Sequence, residues 1–402
     1  MPRNLISLID GTRISASQTY DNKAYSNVFE LACLLQLDDR VDEKTPQIVF
    51  YTSGISSQPD TSSIFNLLTG NSIRSQIVDQ YTNICANFNF EEAVNGHPDR
   101  IYLFGFSRGA MAVRAVASLI AEFGLLHPRD IRYLPQILDK WDQCLGAASL
   151  PDHIRRVPAE IEFIGLFDPV MGGFGGLSMF NPIQFSNSQM PAKCKHGVQI
   201  LAIDENRFYF KPKRWEGVRP GRRADGSAAP KSRYLKQIWM PGVHADVGGT
   251  GHQVWGRAAL LAMIFYIDHK TTLRLNREWI TEKESNLRAG IDHGNLMIEP
   301  HRVFLPAYVR KPSDKSEWQE RRHPICDQLK SLTFHGSEDY NWRALVFDRH
   351  FQRLNADKDL AAYFRKVLRL NPRGKGGGPK RTEPRPTASN VHAMPNLAPT
   401  GN

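Results

Sequence analysis

The 402-residue chain carries a formal net charge of +10, and 41% of its residues are hydrophobic and 23% charged. This composition is typical of a globular protein with a sizeable core, in one large domain or two. The chain contains no run of 18 or more apolar residues, which argues against a membrane-spanning helix.

The first apolar run, residues 5–9, ends in Asp10-Gly11 rather than in the small residues of a signal-peptide cleavage site. We interpret it as a β-strand, and we expect a protein that is made in the cytoplasm and exported, if at all, by a route other than Sec. Similar runs, mostly β-branched, predict five further strands at residues 48–51, 101–104, 161–167, 198–203 and 237–240.

Helical periodicity occurs between these strands and after them, at residues 27–37, 72–88, 110–123, 133–144, 255–269, 279–288, 318–332 and 360–370. Continuous apolar strands that alternate with helices favour an α/β fold of the hydrolase type, in which helices cover both faces of a mostly parallel sheet. We expect a catalytic domain over residues 1–255, a helical C-terminal region over 256–370, and a disordered basic tail over 371–402.

The strongest motif is Gly105-Phe-Ser107-Arg-Gly109, which follows a predicted strand and precedes a helix rich in small residues. A chain that turns this sharply puts Ser107 in a strained conformation, and any side chain at 105 or 109 would collide with its neighbours. The turn presents the hydroxyl at a helix N-terminus, with the backbone N–H of Arg108 placed to donate to an oxyanion. The motif predicts a serine nucleophile at Ser107.

A serine nucleophile needs an imidazole base, and His244 is the preferred candidate among 13 histidines. It lies in a Gly-rich segment that follows the strand predicted at 237–240. This segment is expected at the same end of the sheet as the predicted nucleophile turn. His252 is held in reserve because it lies close in sequence. His196 precedes a predicted strand, which places it at the opposite end of the sheet.

The acid of a triad comes between Ser and His in hydrolases of this type, and three aspartates compete for the role. Asp168 follows the strand predicted at 161–167 and precedes Pro169 and the Gly-rich stretch 172–176, which suits a site wall or lid. We prefer Asp168. Asp204 follows the next strand, and Asp246, only two residues from His244, is expected to shape the loop of the base rather than to react.

The end of the first strand supplies a second set of candidates, Asp10, Gly11 and Thr12. If this strand lies beside the nucleophile turn, Gly11 or Thr12 can provide the second N–H of an oxyanion hole, and Asp10 supports the site. The same Asp-Gly-Thr pattern also occurs in phosphotransferases that use Asp as nucleophile with Mg²⁺. That alternative leaves Ser107 and His244 without a role.

The positive charge is concentrated in two segments. Nine Lys or Arg lie between residues 211 and 236 against Glu216 and Asp225, and five lie between residues 372 and 385 against Glu383. We expect 211–236 to be a long exposed basic loop, and such loops attract phosphates. An anionic membrane surface is the partner we favour, nucleic acid is not an expected partner, and a merely solvated loop is the alternative.

The five cysteines, at positions 33, 85, 144, 194 and 326, are far apart and include no C-x-x-C pair. Their odd number and wide spacing argue against a disulfide framework and against a zinc site, and they suit a reducing compartment. We expect no metal and no cofactor.

Four motifs together resemble one family: Asp10-Gly-Thr12, Gly105-Phe-Ser-Arg-Gly-Ala110, Phe167-Asp-Pro-Val170 and Val243-His-Ala-Asp-Val-Gly-Gly249. Over about residues 4–255 the chain looks like the catalytic domain of the class-one type VI secretion lipase effectors, an α/β-hydrolase family. It departs from that family's pattern at Pro169, where Thr is usual. The resemblance implies a phospholipase with a Ser107–Asp168–His244 triad, and a secretion-machinery component or an immunity protein as partner.

The chain is therefore expected to be a serine hydrolase of carboxylic esters, with a glycerophospholipid as the favoured substrate. One alternative is an esterase or deacylase that acts on a small or carbohydrate ester in solution. A second alternative is a hydrolase-fold protein that binds partners without catalysis. An ordered set of Ser, Asp and His favours catalysis, because binding alone requires none of the three.

Overall fold

The structure, a computed structural model, describes residues 2–12, 14, 25–35, 45–54, 71–143, 145–171, 188–218, 234–292, 310–313, 315–326 and 354–369. Its centre is a seven-stranded sheet in which all neighbouring strands are parallel. The strands, in sheet order, are β2 (Gln47–Thr52), β1 (Asn4–Ile9), β3 (Arg100–Phe106), β6 (Ile161–Phe167), β7 (Cys194–Ala202), β8 (Tyr234–Met240) and β9 (Glu320–Arg322). Two short strands, β4 (Leu125–Leu126) and β5 (Arg156–Val157), pair antiparallel outside it.

Nine helices are described, and most lie on the two faces of the sheet. They are α1 (Asn27–Leu34), α2 (Asn71–Asn87), α3 (Phe90–Val94), α4 (Ser107–Phe123), α5 (Leu134–Asp142), α6 (His244–Gly248), α7 (Gln253–Lys270), α8 (Arg277–Asp292) and α9 (Lys358–Val367). Short 3₁₀ turns occur at Pro128–Tyr133, Ala147–Ser149, Phe208–Phe210 and Ser316–Trp318. No described helix has the length and apolarity that crossing a bilayer requires.

Strand β1 shows why its apolar run is continuous. Ile6 and Leu8 pack into one hydrophobic core with α1 and α7, whereas Leu5 and Ile9 pack into a second core with α2 and α4. Alternate side chains of a strand point to opposite faces, so a sheet covered on both sides needs apolar residues at every position. The predicted α/β-hydrolase fold class, with a mostly parallel sheet and helices on both faces, is confirmed.

The predicted helix at residues 318–332 is wrong at its start, because residues 320–322 form strand β9. This strand pairs with the edge of β8, where Gln237 lies opposite Glu320. Three residues are too few to show a strand period, and an open sheet edge rather than local propensity decides their conformation.

The segment after residue 255 joins the same core as the segment before it. Helix α7 begins at Gln253 and runs through the expected domain boundary, and its buried face packs on the sheet. Strand β9 then extends the sheet itself. The described parts of 256–370 are therefore continuous with the hydrolase core, and the predicted tail at 371–402 lies outside the described residues.

The basic segment 211–236 is not exposed throughout. Trp215 is buried, and its backbone exchanges hydrogen bonds with the side chain of Gln237 on β8. Lys236 is part of β8 and pairs with Asp357. Residues 219–233, the middle of the predicted loop, lie outside the described residues.

Cys33, Cys85, Cys194 and Cys326 are not joined by disulfide bonds within the described part of the chain. Cys33 is exposed and the other three are buried. The fifth cysteine, at position 144, is not among the described residues.

Candidate active site

Ser107 lies where β3 ends and α4 begins, as the motif predicts. Its φ of 59° is in the left-handed region, which residues with a side chain rarely adopt. A Cβ at position 105 would lie 2.7 Å from Cα of Ala110, and one at position 109 would lie 2.5 Å from the carbonyl oxygen of Ile9. Both contacts are with backbone, so only glycine fits at these two positions and permits the sharp turn.

His244 is the first residue of α6, a short helix that begins four residues after β8 ends. Its Nε2 lies 2.9 Å from Oγ of Ser107, within hydrogen-bond distance. The backbone N–H of His244 donates to a carboxylate oxygen of Glu205 (3.2 Å), and its ring packs against Phe106 and Phe210. The backbone and the ring of His244 are thus both held by neighbouring residues, and the residue is buried.

Asp168 follows β6 and is fully buried. Its Oδ2 lies 2.6 Å from Nδ1 of His244, and its own φ is 37°, a second left-handed residue in the site. Burial alone would raise the pKa of this carboxyl group. The charge of Arg310 and the hydrogen bond with His244 outweigh burial and lower the pKa to about 2.

Arg310 is a site residue that the sequence did not reveal. Its Nη1 lies 2.7 Å from Oδ1 of Asp168 and its Nη2 lies 3.0 Å from Oδ2, so the two groups pair side by side. The side chain is fully buried. The chain has 51 Lys and Arg, and this one, in Val309-Arg-Lys-Pro312, carries no local motif that would distinguish it.

The predicted oxyanion-hole residues are only partly available. Arg108 stands in the first turn of α4, and its side-chain Nε donates to the hydroxyl of Thr12, so these two residues meet beside Ser107. The N–H of Gly11 donates instead to Oδ1 of Asp10 (2.7 Å). Of the two residues predicted to supply the second N–H of an oxyanion hole, Thr12 is therefore the better candidate, because the amide of Gly11 already has a partner.

Asp10 is buried under the strand end and connects three segments. Its carboxylate accepts hydrogen bonds from the N–H of Gly11 and from the hydroxyls of Ser26 and Tyr51, the latter at 2.8 Å. Burial raises the pKa of Asp10 to about 6, although these donors oppose the rise. A carboxylate with 1% exposure and three donors is poorly placed to attack a phosphate, but it is well placed to hold the first strand end beside the nucleophile turn.

The competing acids have other partners. Asp246 accepts from the N–H of Val243 (2.8 Å) and from that of His252 (2.7 Å), so it connects two parts of the segment that carries His244. Asp204 accepts from the N–H of Gly242 (2.7 Å) in the same region. Both lie close to His244 in space, yet neither is the carboxylate that contacts its ring.

The competing histidines are also placed elsewhere. His252 is the residue before α7, where its N–H binds Asp246. His196 lies in the first half of β7 and its ring bonds to the backbone oxygen of Glu162 (3.0 Å), at the end of the sheet away from Ser107. No group of three His, Cys, Asp or Glu side chains in the described residues has the spacing of a metal site.

Ser107, His244 and Asp168 thus form one hydrogen-bonded chain, drawn from the ends of three parallel strands. The serine hydroxyl can pass its proton to Nε2 of the imidazole, and the carboxylate fixes the ring by accepting from Nδ1. This arrangement can generate a serine nucleophile without help from another group.

Several known proteins and solved structures are similar to this chain, and three of them follow. A protein of Saccharomyces cerevisiae described as uncharacterized is 27% identical over 234 residues, which are 52% of this chain and 32% of the yeast protein. An uncharacterized protein from Pseudomonas aeruginosa has a TM-score of 0.42 and 16% identity, over 74% of this chain and 51% of that one. A Tle1 effector solved bound to the VgrG spike of the type 6 secretion system has a TM-score of 0.35 and 21% identity, over 62% and 51% of the two chains.

The chain spans about a third of the yeast relative and about half of each of the two solved structures. At TM-scores below 0.5 the structural likeness does not bear on function. The family model described as "T6SS, Phospholipase effector Tle1-like, catalytic domain" matches residues 3–266, which is most of the chain and close to the range predicted from the motifs. The chain therefore belongs to the family of catalytic domains of Tle1-like phospholipase effectors of the type VI secretion system.

Proposed function

We propose that this protein is a serine hydrolase that cleaves carboxylic esters of glycerophospholipids, with Ser107, His244 and Asp168 as its triad. The observation that carries the proposal is the continuous hydrogen-bonded chain from Oγ of Ser107 through His244 to Asp168. The left-handed backbone of Ser107 at the start of a helix adds to it, because strain of this kind concentrates at functional sites.

The first half of the reaction forms an acyl-enzyme. His244 takes the proton of Ser107 as Oγ attacks the ester carbonyl, and the tetrahedral oxyanion is held by the backbone N–H of Arg108 together with that of Thr12. His244 then gives the proton to the leaving alcohol, and the C–O bond to that alcohol breaks. The protonated ring is stabilised by Asp168, which stays ionised because its pKa is about 2.

The second half regenerates the enzyme. Water takes the place of the alcohol, His244 removes one of its protons, and the resulting hydroxide equivalent attacks the acyl carbon. Collapse of this second tetrahedral intermediate returns the proton to Oγ of Ser107 and releases a fatty acid. Each step uses only the three side chains and the two backbone donors.

Membership of a phospholipase effector family supports the phospholipid substrate, and the charge distribution supports a membrane surface. The segment 211–236 carries nine basic residues, of which Arg214 pairs with Glu320 and Lys236 pairs with Asp357. The remaining positive charge is suited to anionic headgroups. We place the acyl chains near the Gly-rich stretch 172–176, which lies outside the described residues.

Partners follow from the family in the same way. We propose that a component of the type VI secretion system carries the chain out of the cell in which it is made, and that an immunity protein is its second partner. The chain's synthesis in the cytoplasm stays a prediction.

The test is labelling with a fluorophosphonate probe of wild type, Ser107→Ala and His244→Ala, followed by assay of fatty-acid release from phospholipid vesicles. We expect wild type to take the label and release fatty acid, and both variants to lose both properties. Labelling with hydrolysis of small soluble esters but not of vesicles would favour the esterase alternative. Folded wild type that takes no label would contradict the triad and favour a binding protein.

A further inference from the structure

Arg310 reaches the candidate triad from outside the family-matched region. That region ends at residue 266, and the chain returns to the site 44 residues later. The guanidinium group is fully buried and pairs with both oxygens of Asp168. A buried cation placed at this point has to be explained, since burying a charge is costly unless it is paired.

Arg310 also fixes the surroundings of Asp168. Its Nη1 donates to the carbonyl oxygen of Ala202 (2.6 Å) at the end of β7, and its Nη2 donates to that of Phe210 (2.5 Å). Phe210 packs its ring on His244 at 4.8 Å between centroids. One planar group thus connects the acid, the neighbouring strand end and the aromatic wall of the base, a task that suits arginine because of its rigid fork.

Asp168 contacts a permanent cation, Arg310, as well as the imidazole of His244. Oδ2 of Asp168 accepts hydrogen bonds from Nδ1 of His244 (2.6 Å) and from Nη2 of Arg310 (3.0 Å). Because Arg310 pairs with Asp168, this buried pair has no net charge. Removal of the guanidinium group would leave an uncompensated carboxylate against the imidazole.

The other charged groups near His244 have partners of their own. Glu205, which accepts from the backbone of His244, is paired with Arg207 at 2.8 Å. Asp246 is bound by two backbone N–H groups, and burial raises its pKa. Asp204 binds the N–H of Gly242. Among the described groups, the cation that bears directly on the acid–base pair is therefore Arg310.

We propose that Arg310 is a positioning residue of the triad, which holds Asp168 against His244 and compensates the buried charge of that carboxylate. The inference rests on the proposed function. It assigns to the segment after residue 266 a part in the chemistry of the matched domain.

The experiment is the rate of fluorophosphonate labelling of Ser107 as a function of pH, from pH 4.5 to 9, in the full chain. We compare wild type with Arg310→Met, which removes charge and fork, and Arg310→Lys, which keeps the charge alone. We expect the acid limb of Arg310→Met to move up by about one pH unit, and its plateau rate to fall about 10- to 100-fold. Arg310→Lys should keep the acid limb of wild type while its plateau falls.

Arg3→Met is the matched control. It also removes an arginine from a buried carboxylate, Asp99, at 2.8 Å, but directly before the start of β3, at the end of that strand opposite Ser107. We expect it to lower thermal stability without moving the acid limb. A fall in plateau for Arg310→Met with no movement of its acid limb would overturn the charge role, because loss of packing alone produces that result.

Two outcomes separate the inference from the proposed function. Wild type that takes no label at Ser107 overturns the proposed function and the inference together. If Arg310→Met does not fold, as judged by circular dichroism, Arg310→Lys decides. A plateau rate at least about tenfold below that of wild type supports the inference, and an unchanged plateau overturns it.

Discussion

Two residues of the candidate triad, Ser107 and Asp168, have backbone angles that residues with a side chain rarely adopt. Each follows directly after a strand of the parallel sheet. The N–H of Asp168 donates to the carbonyl oxygen of Ile200 (2.8 Å). Strain of order 1–3 kcal/mol per residue persists only where the surroundings over-determine it.

Gly105→Ala tests the close packing of the nucleophile turn. A methyl group there would lie 2.7 Å from Cα of Ala110 and could be relieved only by moving backbone. We expect the free energy of unfolding to fall by about 1–3 kcal/mol, with slower fluorophosphonate labelling, measured by urea unfolding and by labelling rate. Gly146→Ala is the control, because its methyl group meets only the end of the Glu122 side chain. Equal effects of the two substitutions would contradict the argument.

Asp10→Asn tests the buried carboxyl at the end of β1. The pKa of Asp10 is raised to about 6, so the folded state holds this proton more tightly than the unfolded state, whose value is 3.8. The stability that this proton provides is complete below pH 4 and is lost as pH rises through 6, by on the order of 3 kcal/mol. Asn has no such proton to lose.

We therefore expect Asp10→Asn to gain stability relative to wild type between pH 4 and 7, as measured by urea unfolding at several pH values. A difference between the two proteins that does not change with pH would show that Asp10 is ionised throughout. Fluorophosphonate labelling of Asp10→Asn should persist. If Asp10 were the nucleophile, this variant would lose all activity.

Among the elements, the later part of the chain is joined to the sheet at a few defined points. Strand β9 pairs with β8, and Arg322 forms a bridge with Ala356 directly before α9. Helix α9 then buries Leu360, Phe364 and Val367, the i, i+4, i+7 face that its sequence predicts. Its first turn is bound by Asp357, which also pairs with Lys236 of β8.

Asp357 can be tested with two substitutions that separate its roles. Asp357→Ala removes the acceptor for the N–H groups of Asp359 and Leu360 (both 3.1 Å) as well as the ion pair. We expect a loss of about 1–2 kcal/mol in the free energy of unfolding, measured in urea. Asp357→Asn keeps the cap and should lose less. Equal losses in both variants would assign the stabilisation to the ion pair with Lys236 instead.

At the scale of the molecule, two hydrophobic cores lie on opposite faces of one sheet, and the site lies at the strand ends between them. The chain has a net charge of +10, and nine of its basic residues are concentrated in 211–236. A surface that holds anionic lipid by charge must respond to salt, because screening shortens the range of the attraction.

We expect binding to vesicles that contain anionic lipid to weaken at least about tenfold between 50 and 500 mM NaCl, measured by co-sedimentation. Arg222→Glu combined with Arg223→Glu should weaken it at low salt, whereas Arg214→Gln, whose arginine is paired with Glu320, should not. Binding that does not depend on salt, or equal binding to neutral vesicles, would contradict the charge argument.

The sequence by itself determined the features that arise from local crowding and local periodicity. The six longer strands, the strand–Ser107–helix turn and its two glycines could be predicted because each depends on residues within a few positions of one another. His244 and Asp168 could be singled out because strand ends in a parallel sheet share one edge. The sequence alone could suggest that these two side chains contact each other, but it could not establish that contact.

The tertiary structure decided the rest. It placed Asp168, rather than Asp204 or Asp246, against the ring of His244, bound the amide of Gly11 to Asp10, and brought Arg310 and strand β9 into the fold. These features depend on contacts between residues up to 142 positions apart. Such contacts leave no periodic trace in the sequence, because burial, pairing and charge compensation are properties of the folded neighbourhood rather than of the local chain.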